Sequence, residues 1–143
     1  YQNTINVNIV ESHPIGIYIN GNNNLLFNKK GEIIDSVDSS LNSYSHLIKF
    51  EGNNSLFNAN IFLNSIPLLF RNEIKKAIYI SNRRWDVRLK NGIRLKLAEN
   101  NILDSFNNYE KFYKSVSNQE LIKIEMIDLR LPKKIILKFK VQK

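Results

Sequence analysis

Cysteine is absent from this chain of 143 residues, and that removes two classes at once. No disulfide scaffold can form, and no zinc site can be built on thiolates. Histidine is nearly absent as well: His13 and His46 are too few for a histidine-based metal cluster, so no metal is expected. Glycine numbers only 5, which leaves no glycine-rich loop to cradle a phosphate, and no cofactor is expected. No run of 18 apolar residues occurs, so no segment reads as a membrane span, and no signal peptide is visible. Tyr1 is not a natural start residue. The chain therefore reads as a processed or excised fragment, with any membrane anchor expected upstream.

What is present suits one domain, or one domain with a fragment of a second. At 43% hydrophobic and 24% charged residues, the chain can bury a core without a staple. Lys and Arg total 21 against 13 Asp and Glu, a net charge of +8. Such a balance points to nucleic acid, anionic headgroups or acidic protein partners. Asn, Ile and Lys are abundant together, as AT-rich coding DNA produces, so much of the Lys excess reads as solvated surface.

The hydrophobic pattern gives the elements. Ile5, Val7 and Ile9 alternate with asparagines as in a half-buried strand, and Pro14 holds His13 extended. Ile15, Ile17 and Ile19 alternate again before a turn at Gly21. Leu25–Phe27 and Ile33–Ile34 flank Asn28-Lys29-Lys30-Gly31, a hairpin connection. Residues 36–54 read as loop. A helix is expected over Leu56–Leu69, capped by Ser55, with Phe57, Ile61, Phe62 and Leu63 as its apolar stripe and Pro67 ending or bending it. Ile74–Ile80 reads as a strand or edge element.

The clearest local structure is Trp85–Leu97. A two-residue loop at Asn91-Gly92 would pair Leu89 with Arg94 and put a charge on the apolar face. A three-residue loop, Lys90-Asn91-Gly92, pairs Leu89 with Ile93, Val87 with Leu95 and Trp85 with Leu97. It places Gly92 at the left-handed position of a bulged turn. On the polar face Asp86 then opposes Lys96, and Arg88 opposes Arg94, a repulsion unless an acid is near. A second helix is expected over residues 102–116. A strand follows over Leu121–Leu131, with a bulge near Met126 and Ile127. Pro132-Lys133 turns the chain into a last strand carrying Ile135, Leu137, Phe139 and Val141 on one face. The order implies an α+β domain: a largely antiparallel β-sheet with two helices on one face and a C-terminal edge strand.

No catalytic set assembles, so no enzyme is expected. His46, in Ser43-Tyr44-Ser45-His46, reads as a loop histidine before it reads as a base. The acid pairs Asp35 and Asp38, or Glu125 and Asp128, sit where turns and strand ends explain them better than glycoside chemistry. A basic nucleic-acid-binding domain is the alternative: Arg83, Arg84, Arg88, Arg94 and Lys96 would face phosphates. Few exposed aromatics accompany them, and Asp86 interrupts the patch, so no nucleic acid is expected.

Taken in order, Arg83-Arg84-Trp85-Asp86-Val87-Arg88-Leu89-Lys90-Asn91-Gly92, Ile93–Leu97, a helix and Ile127-Asp128-Leu129-Arg130 resemble the C-terminal β domain of the bacterial cell-division family FtsQ, called DivIB in Gram-positive bacteria. Val10-Glu11-Ser12-His13-Pro14-Ile15 resembles the segment closing that family's POTRA domain, and Lys30-Gly31-Glu32-Ile33 the start of its β domain. The resemblance implies that residues 1–23 are the end of a POTRA domain and 24–143 a β domain. It implies a non-enzymatic scaffold on the periplasmic side of the inner membrane at the division septum, part of a single-pass protein. The implied partners are the periplasmic parts of FtsB and FtsL, with other divisome proteins. The implied contacts are Arg130, Leu131, Lys133, Lys134, Ile136, Lys138 and Phe139, with Arg83 or Arg84 as a second basic contact. Trp85, Asn91, Gly92 and Asp128 are implied to be structural. Phe139 faces either the partner or the core.

The residues alone reach a compatible place. A terminal strand at an open edge suits β-augmentation, in which a partner adds a strand. Its lysines either select an acidic partner or protect the edge against aggregation.

Overall fold

The structure, a computed structural model, describes residues 3–6, 12–38 and 42–142. Two hairpin turns open it. β1 (Gly16–Asn20) pairs antiparallel with β2 (Asn23–Phe27) across Gly21, and β2 pairs antiparallel with β3 (Ile33–Val37). Asn28 shapes the second turn, its Oδ1 accepting from the N–H groups of Lys30 and Glu32, each at 3.0 Å. Most of the strand expected over Ile5–Ile9 lies outside the described residues. Asn3–Asn6 carry no strand structure, and Ile5 is exposed.

Residues 36–54, expected as loop, contain a strand that sets the topology. β4 (Lys49–Glu51) pairs parallel with β1 and with β5 (Ile74–Ile80). Parallel neighbours need a crossover, and α1 (Ser55–Ser65) and α2 (Leu68–Arg71) supply it. The device recurs. β6 (Arg84–Leu89) and β7 (Arg94–Lys96) form a hairpin, then α3 (Ile102–Ser115) and α4 (Asn118–Leu121) return the chain to β8 (Ile124–Leu131), parallel to β7. β9 (Lys134–Phe139) pairs antiparallel with β8.

Among the described residues the result is one nine-stranded sheet in the order β3-β2-β1-β4-β5-β6-β7-β8-β9. It is mixed, which corrects the expectation of a largely antiparallel sheet. The junctions β1–β4, β4–β5 and β7–β8 are parallel. β4 carries too short an alternation to announce itself. The helices between β4 and β5 and between β7 and β8 make each pair run the same way. Among the described residues four α-helices form rather than two, since α2 and α4 add one turn each, and a 3-10 turn at Asn42–Tyr44 precedes β4. β5, read as a strand or edge element, is central.

Both long helices cover one face. Phe62 of α1 and Phe106 of α3 share a core with Phe50, Trp85, Val87, Leu95 and Ile127, all buried. Trp85 stacks on Phe62 at 4.5 Å between ring centroids, and Phe50 meets Phe27, Phe62 and Trp85 edge-on. Within α1, Ala59 and Phe62 turn inward, while Phe57 and Ile61 face solvent, against expectation. Ser55 is not the cap either. Asn54 is, in the left-handed conformation, and Ser55 is buried at the first helical position. Pro67 divides α1 from α2 as its missing N–H predicts. Gly52 makes the turn from β4 into α1 at φ 106°, where a Cβ would lie 2.4 Å from the Tyr79 carbonyl oxygen, so only glycine fits.

Candidate functional site: the open face and the basic edge

The β6–β7 hairpin adopts the register its sequence predicts. Asp86 opposes Lys96, Val87 opposes Leu95 and Arg88 opposes Arg94. Leu89 N–H donates to Ile93 C=O at 2.9 Å, and Gly92 N–H to Leu89 C=O at 3.0 Å. Gly92 takes φ 93°, and Asn91 Oδ1 accepts from Ile93 N–H at 3.0 Å. Alternation then fixes the two faces: Trp85, Val87 and Leu89 go to the core, and Arg84, Asp86 and Arg88 to the face away from α1 and α3.

That open face carries a lattice of charge. Asp86 is fully buried although it lies on the face away from α1 and α3. Its Oδ1 pairs with Arg84 Nη1, and its Oδ2 accepts from Arg94 Nη2 at 2.6 Å. Arg94 thus reaches diagonally to an acid, which relieves its opposition to Arg88. One strand further, Asp128 lies beside Lys96 in the β7–β8 register, and Arg130 folds back on it. Arg130 Nη2 donates to Asp128 Oδ2 at 2.7 Å, and Nε to Oδ1 at 2.9 Å. This fork holds the Asp128 carboxyl below its ordinary range and raises the Arg130 guanidinium, to which Asp86 also contributes. The arginines are therefore held in place by the chain's own acids. Asp128 is buried beneath the Arg130 fork, and Trp85 is buried in the core on the other face.

β9 ends the sheet. Its outer flank has no strand partner among the described residues. Lys134, Ile136 and Lys138 share the open side, since Ile136 opposes Asp128 and Lys138 opposes Met126. Ile135, Leu137 and Phe139 share the other. Leu137 packs on the core, whereas Ile136 is 41% and Phe139 55% exposed. Phe139 opposes buried Ile124, yet more than half its surface remains open. Lys138 makes an exposed pair with Glu125 at 3.6 Å. β8 is bulged between Ile124 and Met126, near the expected position, and again between Asp128 and Leu131. The strand expected from Leu121 begins only at Ile124, because Ser117 and Glu120 cap a helical turn with a reciprocal capping box.

The sequence-predicted residues are thus grouped. Arg130, Leu131, Lys133, Lys134, Ile136, Lys138 and Phe139 all belong to the β8–β9 hairpin. Arg84 lies two residues from Asp86 toward the same end of the sheet as Arg130. It is 14% exposed and occupied by Asp86, whereas neighbouring Arg83 is exposed in the preceding turn. Sequence reasoning missed Arg94 as a partner of Asp86, and its only signal was the Arg88–Arg94 opposition. It also missed Ile135, 36% exposed at the edge. Among the described residues no group of three His, Asp or Glu could hold a metal, and no helix is long and apolar enough to cross a membrane.

Comparison with known proteins places this geometry. The family described as cell division protein FtsQ/DivIB, C-terminal, matches residues 17–130, from β1 to the end of β8. The cell division protein FtsQ of Rhizobium meliloti is 30% identical over 104 residues, 71% of this chain and 33% of that protein. That of Rhizobium radiobacter is 31% identical over 105 residues, 71% of this chain and 49% of that protein. FtsQ of Rickettsia bellii is 27% identical over 134 residues, 87% of this chain and 47% of that protein. The chain thus spans from a third to a half of these relatives' length. The fold resembles the major extracytoplasmic domain of the cell division protein DivIB from Geobacillus stearothermophilus, with a TM-score of 0.53 at 12% identity, covering 76% of this chain and 99% of that one.

Proposed function

The chain belongs to the FtsQ/DivIB family of cell division proteins, and from that premise we propose that it is a non-enzymatic divisome scaffold that takes a strand from FtsB, with FtsL, along β9. The observation that carries the reading is the basic terminal strand at the end of the sheet order, with Ile136 and Phe139 exposed on opposite sides of it. Added backbone hydrogen bonds would supply affinity, and side chains alternating across the edge would supply register. Lys133, Lys134 and Lys138 favour an acidic segment. Leu131, 49% exposed beside the turn, offers an apolar contact at one end. Arg130 and Arg83 extend the basic surface along the end of the open face. Arg84 contributes through its hold on Asp86.

The same reading places the chain on the extracytoplasmic side of the inner membrane, in a single-pass protein at the septum. Residues 1–23 as the end of a POTRA domain and 24–143 as the β domain belong to this proposal. The β1–β2 hairpin crosses that line, so both strands move together in any trimmed version. The test is a titration with the periplasmic segment of the same organism's FtsB, with and without FtsL, at two salt concentrations. Saturable binding that weakens with salt is expected. Absence of binding at high micromolar concentration, with or without FtsL, counts against the edge as the docking site.

A further inference from the structure

The helix layer carries an apolar outer face that neither the core nor the β9 edge uses. A surface helix ordinarily shows one apolar stripe, and a helix that is apolar all round belongs in an interior. α1 departs from that rule. Ala59 and Phe62 fill its inner side, yet Phe57 and Ile61, one turn apart, are 69% and 67% exposed on its outer side. Leu68 and Leu69 of α2 are 74% and 79% exposed, and Leu103 in the first turn of α3 is 49% exposed. Ile61 and Leu103 line a groove of about 600 Å³ where the end of α1 meets the start of α3, together with Ile66, Pro67 and Ile102.

Three observations select a second copy of this chain as the cover. The first is charge. Residues 52–70 include no charged residue in nineteen positions, in a chain that is 24% charged. A helix that lies on a lipid surface carries Lys or Arg beside its apolar side chains, and this stretch has none. Two chains of net charge +8 repel, and on this stretch they can meet without cation facing cation. Arg84, Arg88 and Arg94 lie on the far side of the sheet. The second observation is the rim. Asn64 and Asn100 border the groove, and Glu99 is the one charged residue lining it among those described. An amide brings both a donor and an acceptor, so the same amide on an identical copy can answer it. The third is size. The five exposed side chains present on the order of 500 Å² of apolar surface, at the upper end of a single patch on a monomer. Two copies face to face would bury about 1,000 Å² of apolar surface, and the amide rim brings the total into the roughly 1,200–2,000 Å² of a specific interface.

We propose that the chain forms a two-fold symmetric dimer through this helix face, the exposed leucines of α2 in each copy seated against the groove of the other. Such an interface is isologous: one patch supplies both the ridge and the groove, and the assembly closes at two. The contact uses no residue of β3, β8 or β9, so both flanks of the sheet stay open and the inference does not depend on FtsB binding.

The test is sedimentation equilibrium of the 143-residue chain over about 10 µM to 1 mM. The average mass should rise from that of one chain to that of two and stop there. Ile61→Asp places an acid against the apolar groove and should raise the dimer dissociation constant at least about tenfold. Leu68→Asp, on the neighbouring helix, should do the same. Both side chains are largely exposed, so thermal melts of the two variants should match that of the unchanged chain. Ile136→Asp, at the β9 edge, should leave the dimer constant within about twofold. A second arm adds vesicles of phosphatidylcholine and phosphatidylglycerol to the monomeric variant and the unchanged chain. Single-chain mass throughout, growth past two copies, a dimer that survives both folded variants, or one that Ile136→Asp breaks instead overturns the proposal. So does a chain that stays monomeric and binds the vesicles through Leu68, since a lipid surface is then the cover.

Discussion

The sheet has two free flanks among the described residues, β3 and β9, and they differ in chemistry. β3 runs five residues and carries Asp35, with Glu32 before it and Asp38 after it, and with Lys29 and Lys30 in the turn that leads in. Asp35 Oδ1 accepts from Ser36 N–H at 2.8 Å, so one donor along this flank is already engaged. β9 runs six residues and lies among lysines, with Lys133 before it, Lys134 and Lys138 within it and Lys140 after it. An incoming acidic strand is favoured at the uniformly basic edge over the mixed one. Exposure alone does not distinguish them, since Ile33 is 46% and Ile136 41% exposed. Charge does. On the proposed reading, the β9 lysines would choose a partner as well as deter self-pairing.

The sharpest way to break the comparison is Ile136→Asp. It puts an acid on the open side of the edge, where little core is lost, and should weaken FtsB binding by about 2 kcal/mol, roughly 30-fold. The matched change Ile34→Asp at the β3 flank should leave that affinity within about twofold. Thermal melts of both variants check that each remains folded. Phe139→Ala should cost about 1.4 kcal/mol, or tenfold, in binding. More than half of that ring is exposed, so the melt should shift less than for a core aromatic such as Phe106. Lys134→Glu with Lys138→Glu should lower the association rate several-fold and flatten its salt dependence, as read by stopped flow.

The smallest effect concerns the support behind the edge. Arg130 holds the Asp128 carboxyl below its ordinary value, so Asp128 stabilises the fold at neutral pH. That contribution is present above the unfolded aspartate pKa and is lost as pH falls through the lower folded value. Asp128→Asn should cost about 1 kcal/mol near neutrality, since the half-exposed Arg130 is screened by solvent. Its denaturant stability should also depend less on pH in the acid range than that of the unchanged chain.

The legibility of these regions follows from how local their causes are. The β6–β7 register was readable because strict alternation and Asn91-Gly92 constrain it from both ends. β4 was not, because three residues carry too little periodicity, although Ile48 and Phe50 alternate with Lys49 and Glu51. Missing it hid a parallel crossover and with it the mixed sheet. The turn at Ser117–Glu120 did carry a capping-box pattern, but the apolar Leu121 and Ile122 beside it look like strand. Burial of Asp86 depends on arginines from the same strand and the next closing over it, which no single segment announces. The basic character of β9 is plain in its lysines, whereas its place at the sheet's end is a property of the whole strand order.

The most direct measurement is hydrogen exchange of the free chain and of the chain saturated with the FtsB periplasmic segment. The account predicts new protection confined to residues 130–141, with the amides of β3 unchanged. Protection along β3 instead, or binding that leaves 130–141 exchanging as in the free chain, would contradict it.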